Sequence, residues 1–201
     1  MIFYFKKLHG IVNFTAIKNN NMQLHALVCG STQGIGLAIA QQLAKDGFSI
    51  ILTSRSEDKL QNALGTLDSG KGQQHQYFVS DFSDPAGLKI AIDNYINLNG
   101  PIHVLINNTG GPKSGPIVDA EVGDFLAAFN QHLICNHILM QAVVPGMKAA
   151  GFGRIINIIS TSVKQPLPNL GVSNTIRGAV ASWSKTLANE LGAFGITVNN
   201  V

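Results

Sequence analysis

Charge is scarce in this chain of 201 residues. Lys, Arg, Asp and Glu together supply 12% of it, about half the usual share. The 14 basic and 11 acidic residues leave a net charge of +3, and no window concentrates Lys or Arg. A disordered charged protein is excluded, and no nucleic-acid partner is expected. Cysteine is almost missing. Cys29 and Cys135 lie far apart in apolar segments, so two buried free thiols in a reducing compartment are expected rather than a disulfide framework. No apolar run approaches the ~20 residues of a membrane span, so no membrane partner is expected. No metal site is expected either. Residues 1–21 lack an apolar block followed by a small-residue cleavage site. They read as an N-terminal extension, expected to be disordered, ahead of one organised domain over 22–201. A cytoplasmic location is expected. Tyrosine is also short: only Tyr4, Tyr77 and Tyr95, with none later.

What is present is a regular alternation. Hydrophobic residues reach 45%, and short apolar runs alternate with segments of helical spacing. Strands are expected at Leu24–Cys29, Ser49–Thr53, Gln76–Val79, Pro101–Ile106, Arg154–Ile159 and Ile196–Val201. Helices are expected at Gly34–Asp46, Glu57–Leu67, Asp84–Leu98, Gly123–Ala150 and Asn174–Gly192, with Pro145 disturbing the last turns of the fourth. Asp84-Pro85 is a good cap and first-turn pair. Continuous apolar strands alternating with helices imply a parallel sheet covered on both faces. Right-handed crossovers then give a doubly wound α/β fold of Rossmann type.

The turn from the first strand to the first helix carries Gly30-Ser31-Thr32-Gln33-Gly34-Ile35-Gly36. The first glycine permits the tight turn, the second lets backbone N–H groups approach a pyrophosphate, and the third lets the helix pack closely. The helix N-terminus adds partial positive charge. Gly30, Ser31, Gln33, Gly34, Ile35 and Gly36 are therefore candidate phosphate-binding residues. At the end of the second strand, a carboxylate would bond the adenosine ribose and repel a 2′-phosphate. Thr53-Ser54-Arg55 has none, and Arg55 can pair a phosphate bidentately. The expected cofactor is NADP(H), with NAD(H) second.

With that loop, Asp81-Phe82 after the third strand, Asn107-Asn108-Thr109-Gly110 after the fourth, and Gly153–Ser160 (GRIINIIS), the chain resembles the short-chain dehydrogenase/reductase family. Within it the likeness is strongest to the β-ketoacyl-carrier-protein reductases, from Met22 to the end. The resemblance implies that Asp81, with Phe82 beside it, binds the adenine end of the cofactor. It implies that Asn108 and Gly110 line the ribose and nicotinamide side, and that Ser160 binds the substrate carbonyl oxygen. It also implies a small-molecule or acyl-thioester carbonyl substrate and a homo-oligomer, usually a tetramer. Family members continue past the sixth strand into a substrate-covering lobe, so the chain reads as truncated at its C-terminal end and substrate identity is not legible.

Three positions depart from the family pattern at the chemistry. The proton-donating tyrosine, thirteen residues after the serine, falls on Ser173. The lysine four residues later falls on Arg177. The asparagine of the long fourth helix falls on His132. The family's NNAG motif is here NNTG, with Thr109. A phenol near pKa 10 is an effective acid, and an aliphatic hydroxyl is not. Arg177 retains a cation that can stabilise negative charge on oxygen but cannot relay a proton. His132 can transfer protons near neutral pH. Two readings remain open: an NADP(H)-dependent oxidoreductase using Ser160, Arg177, Ser173 and His132, or a non-catalytic dinucleotide-binding protein that has lost its acid.

Overall fold

The computed structural model describes residues 23–201; the expected N-terminal extension lies outside them. Six strands form one parallel sheet: β1 (His25–Cys29), β2 (Ser49–Ser54), β3 (Gln76–Val79), β4 (Val104–Asn107), β5 (Gly153–Asn157) and β6 (Ile196–Asn200). Their order across the sheet is β3-β2-β1-β4-β5-β6. Between them run α1 (Gly34–Asp46), α2 (Glu57–Leu64), α3 (Pro85–Asn99), α4 (Val122–Phe129), α5 (Cys135–Ala150) and α6 (Gly171–Leu191). The expected doubly wound fold is therefore the observed one. No described helix is long and apolar enough to cross a membrane.

The strands are apolar on both sides because both sides are buried. Leu27, Cys29, Ile51, Leu105 and Ile155 point into a core that includes Leu88 and Ile92 of α3, Leu139 of α5 and Leu187 of α6. Their neighbours Ala26, Val28, Ile50, Leu52, Val104 and Ile156 point the other way, onto Ile39 and Leu43 of α1 and Leu60 of α2. Cys29 and Cys135 are free and buried, as expected. Asp84 caps α3 by accepting the Gly87 N–H at 3.0 Å. At the C-terminal ends of β4, β5 and β6, a polar ladder, buried at Asn107 and Asn157, ties the strands together. Asn107 Nδ2 donates to Asn157 Oδ1 at 2.7 Å, and Asn157 Nδ2 donates to Ser184 Oγ and Asn200 Oδ1.

Three helical expectations need correction. The helix read over Glu57–Leu67 ends at Leu64, with Gly65 as its C-cap. The segment read as one helix over Gly123–Ala150 is α4, a five-residue π-helical turn at Asn130–Ile134, and α5. A π turn inserts one residue into the ladder and re-aims the side chains it carries. Pro145 sits inside α5, and the helix runs on to Ala150. The last helix begins at Gly171, not Asn174. Ser173 is therefore in its first turn, not ahead of it.

Strand order reverses between β1 and β4, the switch point where a doubly wound sheet opens a crevice beyond its strand ends. The glycine turn leaves β1 on one side of that point, and Asn108–Gly110 leave β4 on the other.

Candidate functional site

The crevice is a cleft of about 450 Å³. Gly30, Gln33, Gly34 and Ile35 line one wall; Ser54, Arg55 and Lys59 stand on the β2 rim; Asp81, Phe82, Asn108, Thr109 and Gly110 close it. Each glycine of the turn has a different physical reason. Gly30 has φ +57°, and a Cβ there would strike the Asn108 backbone. Gly36 has no room because a Cβ would strike the Gly30 carbonyl oxygen and the Asn108 amide. Gly34 has φ +55° with nothing within 4 Å of a Cβ. It faces open space at the start of α1, whose first turn has no side-chain cap and no acidic residue. Unsatisfied N–H groups and open space fit an anion at this helix end.

Asn108 holds the turn shut. Its Nδ2 donates to the Cys29 and Gly30 carbonyl oxygens at 3.2 and 3.3 Å, so this amide serves the loop first. Ser31 does not reach the cleft. It is fully buried, and its Oγ has no partner among the described residues. The expectation that it contacts the cofactor is corrected: its side chain points inward, beneath the turn. Gly36 likewise acts by packing. Asp81 is exposed and accepts the Ser83 N–H at 2.9 Å. Bonding by the Ser83 backbone and hydroxyl, with a smaller contribution from Arg55, holds its carboxyl below the usual range. Lys59, in the first turn of α2 and four residues after Arg55, went unnoticed in the sequence.

Beyond β5 the geometry is of another kind. Ser160 Oγ accepts the Ser162 N–H at 3.1 Å and caps a short 3-10 turn. Its hydroxyl proton remains available to a ligand. Arg177 is 8% exposed and donates from Nη1 to the Ile158 carbonyl oxygen at 2.9 Å. Burial lowers its pKa from the ordinary value. Ser173, one turn earlier on α6, is half-buried. His132 sits in the π turn, 1% exposed, with Nδ1 at 2.7 Å from Thr109 Oγ1. Burial, and then the Arg177 charge, push its pKa down to about 4. The structure thus brings His132 and Arg177 into one electrostatic neighbourhood. Among the described residues no cluster of His, Cys, Asp and Glu could hold a metal ion.

The sequence model of the family described as short chain dehydrogenase matches residues 24–201. The chain belongs to the short-chain dehydrogenase/reductase family. It is 34% identical over 177 residues to dehydrogenase/reductase SDR family member 4 of Sus scrofa, covering 87% of this chain and 62% of that protein. It is 34% identical over 179 residues to the 3-oxoacyl-acyl-carrier-protein reductase of Haemophilus influenzae, covering 88% of this chain and 71% of that one. The chain therefore spans about three fifths to seven tenths of the length of these relatives. Among solved structures, L-sorbose reductase from Gluconobacter frateurii, complexed with NADPH and L-sorbose, superposes with a TM-score of 0.83 at 31% identity, over 89% of this chain and 68% of that one. An NAD+-bound xylitol dehydrogenase superposes with a TM-score of 0.80 at 27% identity, over 90% and 70%.

Proposed function

We propose that the chain is the nucleotide-binding body of an NADP(H)-dependent oxidoreductase acting on a carbonyl or alcohol carbon of a small-molecule or acyl-thioester substrate. The observation that carries this reading is the basic rim. Arg55 and Lys59 line the cleft together beside Ser54, where a carboxylate would repel a 2′-phosphate. The sorbose reductase that resembles this chain was solved with NADPH. The uncapped start of α1 and the opening at Gly34 hold the pyrophosphate. Arg55 and Lys59 hold the 2′-phosphate, and Asp81 bonds the adenine amino group. Asn108 and Gly110 border the ribose and nicotinamide. When bound, the nicotinamide gives or takes the hydride. Ser160 and Arg177 polarise the substrate oxygen, and solvent delivers the proton that the family's tyrosine would supply, because His132, buried and with its pKa pushed down to about 4, holds no transferable proton near neutral pH.

The second reading is a dinucleotide-binding protein without turnover. It is favoured by Ser173 in the acid's position, where an aliphatic hydroxyl replaces a phenol. NADPH oxidation by the protein with a panel of ketones and β-ketoacyl thioesters separates the two. Carbonyl-dependent oxidation is expected. Tight NADPH binding with no turnover on any substrate would favour the second reading, and no NADPH binding at all would defeat both.

A further inference from the structure

Two of the departures from the family pattern touch one another. Thr109, in the loop after β4, and His132, in the π turn, are 23 residues apart in sequence and meet at 2.7 Å. Thr109 lines the cleft. Its neighbour Asn108 has its amide committed to the Cys29 and Gly30 carbonyls. The Thr109 hydroxyl is therefore a side-chain donor that this loop can still turn to a ligand.

A hydroxyl has one proton, and a neutral imidazole has one N–H. Either Thr109 gives its proton to Nδ1, or it accepts the Nδ1 proton and keeps its own for the cleft. The far edge of the ring decides. His132 Nε2 is buried and has no partner among the described residues. A buried N–H without an acceptor is rarer and costlier than an acceptor short of a donor. The ring proton is therefore better placed on Nδ1, where Thr109 accepts it, leaving a bare lone pair on Nε2.

We infer that Thr109 is a cofactor-positioning residue: His132 Nδ1–H holds its oxygen, and its hydroxyl proton is donated to an oxygen of the bound dinucleotide. The inference rests on the dinucleotide reading above. It also explains why threonine and histidine occur together here, since each satisfies the other.

The test pairs NADPH titration by fluorescence with a ring-nitrogen NMR measurement on the full chain. Thr109→Val keeps the shape and deletes the hydroxyl, so NADPH affinity is expected to fall about tenfold, the loss of one hydrogen bond. Thr109→Ser restores the hydroxyl and is expected to restore affinity. In the wild type, the His132 ring proton is expected on Nδ1. A ring proton on Nε2, or equal NADPH affinity for wild type and Thr109→Val, would overturn the inference. If Thr109→Val fails to fold, the wild-type ring measurement decides by itself. A wild type that binds no NADPH overturns the dinucleotide reading and this inference with it. Binding that is indifferent to the valine overturns only the role of Thr109.

Discussion

The glycine-turn wall of the cleft and the region beyond β5 are built under different constraints. Beside β1 and β2 the backbone sets the residues: Gly30 and Gly34 adopt positive φ, and Gly36 has no space for a side chain. Beside β5 and α6 side-chain contacts set the residues: Ser160 caps a turn, Arg177 reaches the Ile158 carbonyl, and His132 leans on Thr109. A backbone requirement admits one residue type. A side-chain requirement can be met by another set, provided the partners change together. The glycine turn accordingly keeps the family pattern, whereas Thr109, His132, Ser173 and Arg177 depart from it.

The largest effect expected from this contrast is on folding. Gly36→Val forces a branched side chain against the Gly30 carbonyl and the Asn108 amide. It should cost at least about 3 kcal/mol, through overpacking against backbone that cannot yield. Gly34→Ala meets nothing and pays only for its left-handed φ, about 1–2 kcal/mol, but it intrudes where a phosphate would sit. Thermal melting should show Gly36→Val strongly destabilised or unfolded, and Gly34→Ala folded but unable to bind NADPH. Equal destabilisation of the two would break the distinction between packing and ligand glycines.

On the acid side, Arg177→Ala should lower turnover by about 10²–10³, the usual loss for a charge-stabilising donor. Ser173→Ala should change it little, because an aliphatic hydroxyl is a poor acid. Steady-state NADPH oxidation on one accepted carbonyl compares them. Turnover abolished by Ser173→Ala and untouched by Arg177→Ala would reverse the assignment.

Legibility followed the same divide. The limits of β3 and α1 were readable because turn glycines and apolar periodicity are local signals. The glycine turn and Arg55 were readable at strand ends, where an α/β sheet presents its ligand groups, and Asp81 by family resemblance; all of them line the cleft. The π turn at Asn130–Ile134 was not. Its extra residue is accommodated by packing against other elements, and no residue type marks it. The Thr109–His132 contact was equally hidden, since it joins a loop to a helix across 23 residues. Ser31 was misplaced because loop sequence does not reveal which side chains point inward.

A smaller effect compares His132 with a histidine far from the cleft. His103 also has its pKa pushed down to about 4, by burial and then by the charge of His25. In the unfolded chain both titrate near 6.5. Between those values the unfolded state binds more protons, so stability rises with pH. The contribution is complete above about pH 7 and is lost as the pH falls toward 4; at pH 5 each histidine should have cost about 2 kcal/mol. Urea unfolding at pH 7.5 and pH 5 should show this loss. His103→Gln and His132→Gln should each remove a comparable part of the pH dependence. If only His103→Gln does so, the His132 ring is protonated in the folded protein and its neutral pairing with Thr109 is wrong.

The most direct measurement of the central claim is a fluorescence titration of the protein with NADPH and with NADH, repeated for Arg55→Ala. Wild type should bind NADPH more tightly. Arg55→Ala should weaken NADPH by at least about tenfold, through the lost phosphate pairing, and leave NADH nearly unchanged. Equal affinity of the wild type for both dinucleotides would contradict the account.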